Sequence, residues 1–175
     1  MKLSGKRVMV VGLGRSGVAA ARLLAARGAQ PVLVERNLAV DRAKLPPAQV
    51  HVGADDPAWL AGVDLIVTSP GVPRDATLLS EAVARRIPVI AEVELAAQFL
   101  SAPIAAITGT NGKSTVRALL AGMLKAAGMS VFVGGSLGAP LIDAVDRVLD
   151  ALVVEVSSFQ LEWIEHFRPK VGDSS

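Results

Sequence analysis

The stretch RVMVVGLGRSGVAAARLLAARG, residues 7–28, contains a whole strand–turn–helix unit, and its reading decides the fold. KRVMVVG is a short apolar run after a polar start, and the run from Val8 to Leu13, interrupted by glycine, reads as a strand. GLGRSG follows, and apolar residues then recur at helical spacing until Gly28, a C-terminal stop. Gly12, Gly14 and Gly17 make an intact G-x-G-x-x-G. The first permits a tight turn, the second lets backbone approach a phosphate, and the third lets helix and strand pack closely. The first amides of the helix and the positive end of its dipole then face an anion. A turn that serves the fold alone is the competing reading.

Strands and helices alternate on the C-terminal side of this unit. PVLVE (31–35), QVHVG (49–53), DLIVTS (64–69) and IPVIA (87–91) read as strands, and ATLLSEAVARR (76–86) as a helix. Such alternation implies right-handed crossovers and a parallel sheet. Glu35 closes the second strand, where a carboxylate can accept bonds from ribose hydroxyls. On this motif alone NAD is the default ligand, although a diphosphate on any sugar would satisfy the same amides. TSPGVP (68–73) ends a strand on the ligand side, and it reads equally well as a Pro-Gly turn.

A second α/β series begins with a helix at EVELAAQFL (92–100), broken by Ser101-Ala102-Pro103. IAAIT, SVFVGG and ALVVEVS read as strands; STVRALLAGMLKAAG (114–128), LIDAVDRVL (141–149) and FQLEWIEHF (159–167) read as helices. RPKVGDSS reads as the start of a further strand, so a sheet of three strands in a truncated chain is expected, with a domain boundary near Ala91.

The loop of this series is ITGTNGKST (107–115), a phosphate-binding P-loop with Ile107 where its first glycine is usual. Gly109 and Gly112 let the loop amides converge on phosphates, and Lys113 adds charge for the outer ones. A hydroxyl of Ser114 or Thr115 can ligate Mg²⁺, and Glu155 offers the acidic partner that such a site needs. A carboxylate in an apolar strand is costly unless paired, hydrogen-bonded or metal-bound, or else it faces a solvated sheet edge. Lys113 as a mere helix cap is the bland alternative for the loop. His51, His166, Trp59 and Trp163 read as packing or surface residues.

Composition supports an α/β chain and excludes several classes. Of 175 residues, 51% are hydrophobic and only 3% aromatic, so Ala, Val and Leu carry the core. The net charge is +2 with no Lys/Arg run, which gives a nucleic acid or an anionic membrane no electrostatic footing. Cysteine is absent, so no disulfide or thiolate chemistry is available. No targeting signal and no apolar run long enough to span a bilayer is seen, and a cytoplasmic location is expected.

Four stretches, TSPGVP, APIAAITGTNGKST, VGGSLG and VEVSSFQLE, resemble in this order and spacing the Mur ligases of peptidoglycan synthesis. The Ser157-Ser158-Phe159-Gln160 run resembles the branch that adds D-glutamate, and the likeness covers residues 4–170. Within that family the missing first glycine is a shared trait.

The resemblance implies an N-terminal Rossmann-like parallel-sheet domain, residues 1–91, that holds UDP-N-acetylmuramoyl-L-alanine. The first part of a P-loop ATP-binding α/β domain follows, residues 92–175. It implies Gly14, Arg15, Ser16 and Gly17 near the diphosphate, Glu35, Arg36 and Asn37 around the uridine, and Ser69 and Gly71 along the same substrate. Ser136 and Ser157 are implied beside that substrate too, and Ser136 stands where the family usually has Asn. ATP is implied on Gly109, Thr110, Asn111, Gly112, Lys113, Ser114 and Thr115, with Mg²⁺ on Ser114 and Glu155. Lys113 and Glu155 are the implied catalytic pair, for an acyl-phosphate route to amide formation with D-glutamate. The family continues with a metal-binding histidine, a carbamylated lysine and an amino-acid-binding domain. The expectation is therefore a monomer of the bacterial cytoplasm that binds the UDP-sugar without completing ligation.

Overall fold

β1 (Arg7–Val11) is buried from Val8 to Val11, which requires cover on both faces and neighbours on both edges. It has both neighbours. β2 (Gln30–Glu35) pairs parallel on one side, with Val10 opposite Leu33, and β4 (Leu65–Thr68) pairs parallel on the other, with Val10 opposite Val67. β3 (Gln49–Val52) and β5 (Val89–Ala91) complete a five-stranded sheet of order β3-β2-β1-β4-β5. α1 (Arg15–Ala26) covers it with Gly17, Ala20, Ala21, Leu23 and Leu24, a stripe of helical period. α2 (Thr77–Ala84) buries Leu78, Leu79 and Ala82. Edge strand β3 is only half-buried, and its His51 ring stacks on Trp59 at 4.4 Å.

The computed structural model describes residues 1–136 and 138–174, in two compact units, Met1–Glu92 and Val93–Ser175. α3 (Glu92–Ala97) begins at the junction. The second unit then runs β6 (Ile104–Thr108), α4 (Lys113–Ala126), β7 (Val131–Gly135), β8 (Ala151–Glu155), α5 (Ser158–Leu161) and β9 (Val171–Ser174). Its sheet is parallel with order β7-β8-β6-β9. Ile107, Ala121 and Val153 form a buried cluster, and Val116, Leu120 and Leu124 of α4 pack against it.

Three expectations are corrected here. The second sheet has four strands, because the run at the chain's end pairs with β6, Ala105 opposite Val171. LIDAVDRVL is not an α-helix; it makes one 3-10 turn, Leu141–Ala144. Its apolar residues bury at the start and then fail, Val148 being 98% exposed, and Asp146 turns the chain in the left-handed region at φ 66°. FQLEWIEHF is helical only through Leu161 of α5.

The cause of that early stop is Glu94 on α3. Its side chain is 2% exposed, and its carboxylate accepts the amides of Glu165 (3.1 Å), His166 (3.0 Å) and Phe167 (2.7 Å). Gln98 Nε2 donates to it as well, at 3.0 Å. Amides aimed at a carboxylate are withdrawn from helical bonding, so the chain turns there.

Burial pushes the Glu94 carboxyl upward, but the amides of Phe167, Glu165 and His166 with the Gln98 amide outweigh it and hold the group below its ordinary range. A lowered folded-state value means the stabilisation is complete above the unfolded glutamate value of about 4.3 and is lost as pH falls through the folded one. Glu94→Ala should cost about 3 kcal/mol in urea unfolding read at Trp163 in a Trp59→Phe background, since three amides lose their acceptor. Glu94→Gln should cost less and should remove this part of the acid sensitivity.

Candidate functional site

Ligands of open parallel sheets gather beyond the carboxyl ends of the strands, where the strand order reverses. In the first unit that point lies between β1 and β4. Gly12 leaves β1 there, with its amide on the Val34 carbonyl (2.9 Å) and its own carbonyl accepting from the Ser69 hydroxyl (2.7 Å). A Cβ on Gly17 would overlap the Gly12 carbonyl and stand 2.8 Å from Ser69 Oγ. Only glycine lets α1 come this close to the turn. Gly14, by contrast, is exposed and a Cβ there would meet nothing within 4 Å, so it faces open space.

Gly14 is the N-cap of α1, and Arg15 and Ser16 open its first turn, whose amides have no acceptor within the helix. Glu35 ends β2 and ties the loop down: its Oε2 accepts the Leu13 amide at 2.6 Å and its Oε1 the Asn37 amide at 3.0 Å. A carboxylate has about four lone-pair sites, so two remain for hydroxyls. Asn37 in turn accepts the Ala39 amide. Arg36 pairs with the buried Asp55 at 2.7 Å, and that hydrogen bond and charge raise the guanidinium's pKa further. Both line an open cavity of about 660 Å³ with Leu38, Gly53, Ala54 and Thr77. Gly71 is exposed just beyond Ser69, in the turn that Val72 N closes on the Ser69 carbonyl. The residues expected around one ligand in this unit thus all sit at its carboxyl end.

The second unit repeats the plan. β6 runs into Gly109–Gly112, and Gly112 caps α4 in the left-handed region. Lys113 folds back, its Nζ donating to the Gly109 carbonyl at 2.5 Å. Ile107, the residue in the glycine's place, is 2% exposed and belongs to the core. Thr110, Asn111 and Thr115 are exposed. Glu155, the last residue of β8 and opposite Ile107, is 1% exposed. The solvated-edge reading of this carboxylate is excluded. Its Oε2 accepts the Ser114 hydroxyl at 3.1 Å and meets Arg117 at 3.2 Å.

β7 ends against the same residue. Gly135 has φ 120°, and a Cβ on it would overlap the Glu155 backbone, whose carbonyl accepts the Ser136 amide at 2.8 Å. Ser157 caps α5 in a capping box with Gln160: its hydroxyl accepts the Gln160 amide at 3.3 Å, and its own amide donates to Gln160 Oε1 at 3.0 Å. Ser136 and Ser157 both belong to the second unit, at the strand ends next to Glu155.

Three participants went unread in the sequence. Arg117 lies three residues after Ser114 on one helix face, a spacing that was visible. Gln160 is announced by the S-x-x-Q pattern. Asp55 has no local signal, being joined to Arg36 only by strand pairing.

Comparison with known proteins places these units in context. The family described as "Mur ligase MurD-like, N-terminal domain" matches residues 6–91. UDP-N-acetylmuramoylalanine–D-glutamate ligase of Syntrophus aciditrophicus is 45% identical over 98% of this chain, and that of Geotalea daltonii 48% over 98%. The chain spans about 40% of the length of each. Among solved structures, UDP-N-acetylmuramate:L-alanyl-gamma-D-glutamyl-meso-diaminopimelate ligase from Neisseria meningitides is similar with a TM-score of 0.57 at 19% identity, over 97% of this chain and 60% of that one. At that identity the likeness shows the fold alone.

Gly17→Ala tests the close approach in the first loop. It should destabilise the first unit by about 3 kcal/mol, measured by urea unfolding at Trp59 in a Trp163→Phe background. Gly14→Ala, into open space, should cost less than about 1 kcal/mol.

Proposed function

Because residues 6–91 belong to the MurD-like branch of the Mur ligases, we propose that the chain is the nucleotide-handling portion of an ATP-dependent ligase that joins D-glutamate to UDP-N-acetylmuramoyl-L-alanine. On this reading residues 1–91 hold the UDP-sugar and residues 92–175 are part of the ATP-binding domain. The observation that carries it is the contact of Ser114, next to Lys113 in the loop after β6, with Glu155 at the end of the neighbouring strand β8, 41 residues on in sequence.

In the first unit the α1 amides of Arg15, Ser16 and Gly17 would receive the diphosphate, with Ser69 and Gly71 alongside. Arg36, held by Asp55, would lie along the uridine, and Glu35 would offer its remaining lone pairs to hydroxyls. In the second unit the loop amides would take the phosphates of ATP. Lys113, now on the Gly109 carbonyl, would exchange that neutral partner for the outer phosphates.

Mg²⁺ fits the residues present. Ser114 Oγ and Glu155 Oε2 are 3.1 Å apart, close to the spacing of about 3.0 Å between neighbouring oxygens around an octahedral ion with ligands at about 2.1 Å. On this reading the ion would be shared with substrate phosphates. When bound, it would supply positive charge where a substrate carboxylate meets a phosphoryl group.

The proposed reaction moves the γ-phosphoryl group of ATP to the substrate carboxylate. The amine of D-glutamate then attacks the acyl phosphate and phosphate leaves. Lys113 would offset the repulsion of two anions, and the loop amides would fix their alignment. No helix among the described residues is long and apolar enough to cross a membrane. On the family reading, the protein would work as a monomer in the bacterial cytoplasm.

Calorimetric titration separates this from a dinucleotide-binding role. UDP-N-acetylmuramoyl-L-alanine should bind saturably and NADH should not, and Arg36→Ala should weaken the first by about tenfold. Saturation by NADH with no response to the UDP-sugar would sink the proposal. Lys113→Ala should abolish binding of a non-hydrolysable ATP analogue while leaving the UDP-sugar isotherm unchanged.

A further inference from the structure

A single oxygen of Glu155 serves two donors. Oε2 accepts the Ser114 hydroxyl at 3.1 Å and pairs with an Arg117 guanidinium nitrogen at 3.2 Å. Oε2 is also the oxygen that a cation shared with Ser114 would use. The Glu155 side chain is 1% exposed and that of Arg117 20%, so the pair lies mostly out of water. A buried carboxylate without a positive partner is strongly disfavoured. A guanidinium and a divalent cation cannot both sit against the same oxygen without close repulsion between them.

Neighbouring positive charge does not take over this task. Lys113 is turned to the Gly109 carbonyl on the loop side. Ser114 donates one neutral hydroxyl, which can rotate to present a lone pair in place of its proton. The residue that must move when a cation arrives is Arg117.

We propose that Arg117 is a positioning residue that competes with the divalent cation for Glu155 Oε2. In the absence of the ion it neutralises the carboxylate and keeps it aimed at Ser114. On arrival of the ion it swings away. The strength of the Arg117–Glu155 pair then sets how tightly the cation binds. The inference rests on the reading of Glu155 as the cation's carboxylate, and its test keeps the two apart.

The test titrates Mn²⁺ alone into the whole 175-residue chain and reads free Mn²⁺ by electron paramagnetic resonance. Arg117→Gln, which removes the charge, should bind Mn²⁺ about tenfold more tightly than the parent, the scale of a partly buried ion pair. Arg117→Lys, with a shorter reach, should bind about threefold more tightly, and it supplies the comparison if the glutamine variant fails to fold. A merely structural role would loosen the site and weaken binding. Glu155→Gln should lose Mn²⁺ binding. If Glu155→Gln binds as the parent does, the cation reading of Glu155 fails. If Glu155→Gln loses the ion while neither Arg117 variant binds more tightly, the competition is overturned and that reading stands.

Discussion

Parallel pairing is the constraint on which everything else hangs. All strands within each sheet run the same way, so each return of the chain must cross over, and every loop that follows a strand's carboxyl end emerges on the same edge. Gly12–Gly17, Arg36–Asn37 and Ser69–Gly71 share one such edge for that reason. Gly109–Ser114, Ser136 and Glu155–Ser157 share the corresponding edge of the other sheet. Neither cluster needs any special device to bring its members together; the hydrogen-bond ladders do it.

Both edges then use a carboxylate at a strand end to fasten a glycine loop, but at different depths. Glu35 is half-buried and holds Leu13 and Asn37 through backbone amides, an attachment that leaves its charge near water. Glu155 is enclosed, and its Oε2 is met by the Ser114 hydroxyl and the Arg117 guanidinium. The first arrangement shapes a loop. The second places a carboxylate out of water between a hydroxyl and a guanidinium.

The sequence was most legible where one local pattern sufficed. The strand–glycine–helix units, the G-K-S run and the odd carboxylate of β8 each follow from spacing or from the cost of burying charge. The misreadings arose where distant residues overrode local pattern. FQLEWIEHF has helical spacing, but Glu94, far away in the chain, takes the amides that a helix would need. LIDAVDRVL is periodic in composition, yet Val148 faces water and Asp146 reverses the backbone. The fourth strand of the second sheet was half-seen, because four residues paired on an edge carry little pattern of their own. Asp55 was invisible because only the β2–β3 pairing brings it to Arg36.

Ile107 fills the place where a phosphate loop of this kind usually carries glycine, and it is fixed in the core against Ala121 and Val153. A glycine there would widen the range of shapes open to the loop; a packed isoleucine narrows it. The chain is therefore pinned where the strand ends, and the turn itself is left to Gly109 and Gly112, both at positive φ. On the proposed reading, an incoming anion would meet a backbone whose order is partly in place beforehand.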